Sequence, residues 1–278
     1  MRDGRATMRP AWAGEAASGP RQRITMGVQG KRALITGASR GVGAVTALKL
    51  AELGVHVAVN YARSRQEGEA VAAKARALGV TGIAIGADIS RGSEAARLVD
   101  EAARALGGLD ILVNNAAITR FIDLTDLAGV TDEAWDDIFG TNVRGLFNVT
   151  RAAAPHLKAS GDGVVVNLGS LAGLSDAGSS IPYCASKAAV HSLTRTLSRA
   201  LAPEVRVNCV APGFINTEWH LRNPKQGAYQ TRLDQAKAET LLKKVCEPED
   251  IADAILSFIV YNRFATGQVL MVAGGRRV

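Results

Sequence analysis

Arg32-Ala33-Leu34-Ile35-Thr36-Gly37-Ala38-Ser39-Arg40-Gly41-Val42-Gly43 decides the fold. A short apolar run passes into a turn carrying three glycines, and a helical pattern begins at Val42. Glycine permits a tight turn and close approach of main-chain N–H groups, so a phosphate can meet a helix N-terminus there. The same alternation continues outward from this unit. Strands are expected at Arg32–Thr36, Val55–Asn60, Gly82–Gly86, Ile111–Asn114, Gly163–Leu168, Arg206–Val210 and Gln268–Val272. Helices are expected at Val42–Leu53, Gln66–Leu78, Ser93–Leu106, Asp132–Ala159, Pro182–Leu201 and Pro248–Tyr261. Strand–helix alternation of this kind gives parallel βαβ units with right-handed crossovers. The fold class is therefore α/β, a single doubly wound parallel sheet of about seven strands with helices on both faces.

Composition narrows the partners. Hydrophobic residues make up 47% and charged residues 21% of 278, the balance of a chain with a sizeable core. The net charge of +7 comes partly from Arg2, Arg5, Arg9, Arg21 and Arg23, and no basic block follows them. Aromatics are only 5%, so neither a charged nor a stacking surface for nucleic acid is expected. No apolar run approaches the ~20 residues that span a bilayer, so no membrane segment is expected. Cys184, Cys209 and Cys246 have no metal-type spacing, and His56, His156, His191 and His220 are dispersed. Neither a disulfide framework nor a metal site is expected, and a reducing, cytoplasmic setting fits this cysteine usage. Residues 1–27 read as a flexible tail or an over-long start, and 28–278 as one catalytic domain. Within it, 214–246 is a long insertion containing Trp219 and His220, placed where α/β proteins carry substrate lids.

Tyr183-Cys184-Ala185-Ser186-Lys187 carries the chemistry. One helical turn separates the phenol from the ammonium, so both emerge on one face. A phenol ionises near pH ~10. A neighbouring cation is expected to pull that value down and make Tyr183 a proton donor and acceptor. The second strand ends Asn60-Tyr61-Ala62-Arg63, without the carboxylate that binds a ribose 2′-hydroxyl in NAD sites. Arg40 and Arg63 suit a 2′-phosphate instead, so NADP (NADPH) is expected in preference to NAD.

Together these residues resemble the short-chain dehydrogenase/reductase family in its single-domain form, a Rossmann fold. The motifs run in order from Gly37/Gly41/Gly43 through Asp88, Asn114-Asn115-Ala116-Ala117, Asn142, Ser170, Tyr183/Lys187 and Pro212-Gly213 with Thr217, to Thr266-Gly267-Gln268. The branch most resembled is that of the 3-oxoacyl-acyl-carrier-protein reductases. The resemblance implies an NADP(H)-dependent oxidoreductase that interconverts a carbonyl and a secondary alcohol. Tyr183 would be the general acid/base, Lys187 would hold the nicotinamide ribose, Ser170 would donate to the substrate oxygen and Asn142 would hold a relay water. Cofactor contacts are implied for Gly37, Ser39, Arg40, Gly41, Val42, Gly43, Asn60, Tyr61, Arg63, Asp88, Ile89, Asn115, Ala116, Tyr183, Lys187, Pro212, Gly213, Ile215 and Thr217. The substrate pocket would comprise Ser170, Tyr183, Trp219 and His220. Its substrate would be a small carbonyl or alcohol, with a 3-oxoacyl thioester among the candidates, and the assembly a homotetramer or homodimer. A non-catalytic NADP-binding sensor, or a dehydratase or epimerase on the same fold, is the alternative. Ala117 and Ala273 depart from the family's usual Gly and Asp.

Overall fold

The computed structural model describes residues 27–175, 177–219 and 229–276. Seven parallel strands form one sheet: β1 Arg32–Ile35, β2 His56–Tyr61, β3 Gly82–Gly86, β4 Ile111–Asn114, β5 Gly163–Leu168, β6 Val205–Pro212 and β7 Val269–Val272. Their spatial order is β3-β2-β1-β4-β5-β6-β7, so the winding reverses between β1 and β4. The doubly wound sheet expected from the alternation is what forms. Helices α1 Gly41–Glu52, α2 Arg65–Ala77, α3 Gly92–Leu106, α4 Asp132–Phe139, α5 Leu146–Ala159, α6 Ile181–Leu201, α7 Tyr229–Glu239 and α8 Pro248–Leu256 pack around it.

Register and side-chain alternation divide the core in two. Ala33 pairs with Val57 and Ile111, whereas Leu34 pairs with Ala58 and Leu112. The first set faces Leu50 of α1, Val71 of α2 and Ile255 of α8. The second faces Leu98 of α3, Val149 of α5 and Val190 of α6. Because both faces are covered, the strands read as continuous apolar runs rather than alternating ones.

Polar side chains near the strand ends tie the layers together. Asn114 Nδ2 donates to Thr150 Oγ1 and Asn167 Oδ1, both at 2.9 Å, and Asn167 Nδ2 donates to Thr194 Oγ1 at 3.0 Å. This buried chain pins α5 and α6 to β4 and β5.

Two features depart from the sequence reading. The stretch expected as one helix from Asp132 to Ala159 contains a π-helical turn, Gly140–Gly145, between α4 and α5. Such wide turns redirect the backbone and often accompany functional sites. The insertion also contains α7, which is not among the helices bounded above. Leu233 and Ala236 of α7 pack with Val245, Phe214 and Tyr229 as a small separate core. The insertion's ends are clamped by a parallel bridge from Ile215 to Cys246 and by Asn216 N–H donating to the Cys246 carbonyl at 2.8 Å.

Leu112 lies fully buried on central strand β4. Leu112→Ala is expected to destabilise the protein by about 3 kcal/mol, the usual loss for a truncated core leucine, seen as a lower urea midpoint with an unchanged slope.

Candidate active site

A cavity of about 1530 Å³ opens at the C-terminal ends of the strands, across the reversal between β1 and β4. That crevice is where open α/β sheets bind ligands. Its floor is the glycine turn. Gly37 holds φ +61°, and a Cβ there would lie 2.8 Å from Ala116 Cα. A Cβ at Gly43 would lie 2.5 Å from Asn115 Nδ2 and 2.8 Å from the Gly37 carbonyl oxygen. The close approach of this turn to the loop after β4 therefore depends on bare glycine.

Hydrogen bonds hold that approach in place. Asn115 Nδ2 donates to the carbonyls of Thr36 and Gly37 at 2.8 and 2.9 Å. The Thr36 hydroxyl receives the N–H groups of Asn115 and Ala116 at 3.0 and 3.1 Å. Asn60 is buried, and its Oδ1 receives the Gly37 N–H at 3.2 Å. Its Nδ2 donates to the carbonyls of Tyr61, Ile85 and Ala87 at 3.1–3.2 Å. Asn60 thus organises the turn from beneath, with its carboxamide committed to the main chain. Tyr61 packs its ring against Gly68 and Gly86. Asp88 Oδ1 accepts from the N–H and hydroxyl of Ser90, at 3.0 and 2.7 Å.

At the rim of this floor, Arg40 begins α1 and its guanidinium donates to the Ser64 hydroxyl at 3.1 Å. Arg63 lines the same cavity. Both arginines are exposed. Ser39, Gly41, Val42, Ile89, Ala116, Pro212, Gly213, Ile215 and Thr217 complete this wall, while Gly43 lies behind it. Ala117 stands there without a positive φ, so its methyl group is accommodated without backbone strain.

At the far end, Ser170, Tyr183 and Lys187 converge. Ser180 caps α6 by accepting the Tyr183 N–H at 3.3 Å, which fixes where the helix starts and hence where Tyr183 and Lys187 point. Lys187 is 3% exposed, donates from Nζ to the Leu168 carbonyl at 2.8 Å and lies 5.7 Å from the centre of the Tyr183 ring. Tyr183 keeps part of its surface open to the cavity, yet enough protein surrounds it that burial pushes its pKa up to about 12. The Ser170 hydroxyl, beside the phenol, opposes that rise. Burial likewise pushes Lys187 down to about 8.

This corrects the expectation that Lys187 pulls the phenol pKa down. Desolvation penalises phenolate and ammonium alike, and here it is the largest influence on each. The phenol is therefore protonated at neutral pH.

Asn142 lies on the π-helical turn, 1% exposed. Its Nδ2 donates to the Ile118 carbonyl and to Ser186 Oγ, both at 3.0 Å, and its Oδ1 receives the Ile118 N–H at 2.8 Å. The side chain pins the loop after β4 against α6, and it does not line the cavity. Trp219 tilts over the Tyr183 ring at 6.4 Å between centroids. His220 lies outside the described residues. Arg232, on α7, also lines the cavity, and its buried Nη1 meets no hydrogen-bond partner among the described residues. The wall formed by Ile118–Leu124 carried no motif that would have marked it.

Residues 31–226 match the short chain dehydrogenase family. The chain belongs to that family. Ketoacyl reductase 2 of the granaticin polyketide synthase of Streptomyces violaceoruber is 44% identical over 243 residues, covering 87% of this chain and 94% of that protein. The 3-oxoacyl-acyl-carrier-protein reductase FabG of Staphylococcus epidermidis is 38% identical, covering 88% and 98%. Among solved structures, a short chain dehydrogenase from Burkholderia cenocepacia in complex with NADP is 37% identical with a TM-score of 0.80, covering 90% of this chain and 99% of that one. An NAD+-bound xylitol dehydrogenase is 28% identical with a TM-score of 0.81, covering 89% and 99%. The protein is thus a short-chain dehydrogenase/reductase resembling the 3-oxoacyl-acyl-carrier-protein reductases, with the fold that binds a nicotinamide cofactor. The bare-glycine floor at the start of α1 fits the pyrophosphate of such a cofactor.

Gly37→Ala meets both a left-handed φ and the Ala116 backbone. It is expected to cost about 1–3 kcal/mol of stability and to weaken NADPH and NADH binding by a similar factor, read by nicotinamide fluorescence.

Proposed function

We propose that this chain is an NADP(H)-dependent reductase of a 3-oxoacyl thioester or a closely related β-ketone, with Tyr183 as the proton donor. The observation that carries the reading is the meeting of Ser170, Tyr183 and Lys187 at one end of the cavity, with the glycine turn at the other. When bound, the nicotinamide supplies hydride to the carbonyl carbon, or accepts it in the reverse direction. The protein's own contribution is at the oxygen. Ser170 donates a hydrogen bond to the carbonyl oxygen, where negative charge develops. Tyr183, protonated because burial holds its pKa at about 12, delivers its proton to that oxygen. Lys187 places a positive charge behind the phenol and offers its ammonium N–H groups to the nicotinamide ribose. Asn142 maintains the wall behind both residues.

NADP is preferred over NAD because Arg40 and Arg63 flank the rim beyond β2, where Asn60 stands in place of a carboxylate. Two guanidiniums attract a 2′-phosphate, and no carboxylate in that position repels it. The thioester class rests on the ketoacyl reductases to which the chain is similar. Trp219, over Tyr183, and Arg232 of α7 line the side of the pocket from which an acyl chain would approach. Residues 28–278 act as one catalytic domain, with 214–246 as its substrate loop, and the enzyme works as a homotetramer or homodimer.

The test is NADPH oxidation, followed by absorbance, against a panel of ketones that includes a 3-oxoacyl thioester and its free acid. Turnover is expected with the thioester, and Tyr183→Phe is expected to lower kcat by about 10²–10⁴-fold while leaving cofactor binding intact. Tight cofactor binding without net reduction of any ketone overturns the reductase reading in favour of a sensor or an isomerase. Arg40→Ala is expected to raise the NADPH dissociation constant roughly tenfold and leave that of NADH unchanged, since a charge-assisted contact is worth about 1.5–3 kcal/mol. Equal weakening of both cofactors rules out the 2′-phosphate assignment.

A further inference from the structure

His191 follows Lys187 by one turn of α6 and is 2% exposed. Its imidazole fills the space beneath the turn that carries Ser170, and that space exists only because two glycines flank it. A Cβ on Gly169 would lie 2.5 Å from His191 Nε2 and 2.7 Å from Cys209 Sγ. A Cβ on Gly173 would lie 2.9 Å from His191 Cε1. The ring is thus wedged between the two ends of the segment Gly169–Gly173, with Ser170 between them. Its Nε2 faces the Ser170 N–H at 3.5 Å, a long hydrogen bond that aligns the strand end more than it strengthens it. Burial, reinforced by the charges of Lys187 and Arg195, pushes the imidazole pKa down to about 4. At neutral pH the ring is therefore uncharged and Nε2 is free to accept.

A core position chosen for stability alone would not hold this residue. His191 Nδ1 is buried without a well-formed hydrogen bond among the described residues, only the Gly173 main chain interacting with the ring, a liability that leucine or isoleucine would avoid. The imidazole is retained beside the reacting groups despite that cost.

We propose that His191 is a positioning residue for Ser170: the wedged imidazole and its accepting Nε2 set the main chain of Ser170 so that the hydroxyl reaches both the Tyr183 phenol and the substrate oxygen. This rests on the role given to Ser170 above. Ser170 Oγ also accepts the Ala172 N–H at 3.2 Å. The direction of the hydroxyl therefore follows the local backbone, and small displacements of a reacting group lower the rate steeply.

The experiment is a double-mutant cycle on kcat for ketone reduction, with NADPH affinity measured in parallel by fluorescence. It uses His191→Leu, which fills the space without an acceptor, together with Ser170→Ala and the double variant. His191→Leu is expected to lower kcat roughly tenfold with NADPH affinity unchanged, and to add nothing in the Ser170→Ala background. An equal loss in both backgrounds, or wild-type kcat in His191→Leu, overturns the proposal. Full activity of Ser170→Ala removes the role of Ser170 itself and the proposal with it. His191→Gln and His191→Asn give a second reading on variants that both keep a polar side chain. Only the glutamine carbonyl reaches the place of Nε2, so kcat should recover in Gln and not in Asn. Equal kcat in the two contradicts the assignment.

Discussion

A buried ammonium is the group around which this site is arranged. Lys187 Nζ, almost wholly removed from solvent, has the Leu168 carbonyl as its 2.8 Å partner. That bond fixes α6 against the end of β5. The position of α6 in turn sets Tyr183 four residues earlier and His191 four residues later. The same bond keeps a positive charge in a place that would otherwise reject it, and the desolvation is visible as a pKa of about 8. Tyr183 pays the corresponding penalty in the opposite direction. Two groups that would attract one another in isolation are each biased toward neutrality by the protein around them.

The fold supplies what this arrangement needs. Parallel strands with both faces covered leave only their ends for ligands, and the reversal between β1 and β4 opens those ends into a crevice. The glycine turn and Asn115 close one side of it, and the Ser170 turn closes the other. Buried amide and hydroxyl groups recur at every junction: Asn60 beneath the first turn, Asn114 and Asn167 between strands, Asn142 between a loop and α6. Asn60 and Asn142 answer N–H and C=O groups that the bending backbone would leave unpaired, whereas Asn114 and Asn167 join side chains across the layers.

Much of this was legible in the residues. Strand positions and most helix ends agree within one or two residues, because buried parallel strands are short β-branched runs and glycine turns end them; the last expected helix instead passes from α8 into a π-helical turn, Ser257–Tyr261. Gly37 was legible from its place after a strand and Tyr183 and Lys187 from helical spacing, whereas Ser170 and the roles of all four came only from the resemblance to the family. The rest depended on tertiary burial. The bounds of α7 were not legible because Leu233 and Ala236 are its only buried positions, too few to give a periodic signal. The π-helical turn replaces no apolar residue and so leaves the pattern of a continuous helix intact. The direction of the Tyr183 shift was misread because spacing shows a nearby cation and cannot show that both groups are desolvated. His191 looked like one dispersed histidine among four until Gly169 and Gly173 were seen on either side of it.

The most direct measurement of the central claim is the pH dependence of the two reaction directions at saturating cofactor. With the phenol held near 12 and the ammonium near 8, ketone reduction should stay level from pH 6 to about 8 and decline above it as Lys187 loses its charge. Alcohol oxidation, which needs the phenolate beside a charged Lys187, should climb from pH 6 to about 8 without a plateau and level off only above it, as the ammonium is lost. A plateau in oxidation near pH 7, with reduction falling across the same interval, would show a phenol ionising near neutrality and would contradict desolvation as the governing term.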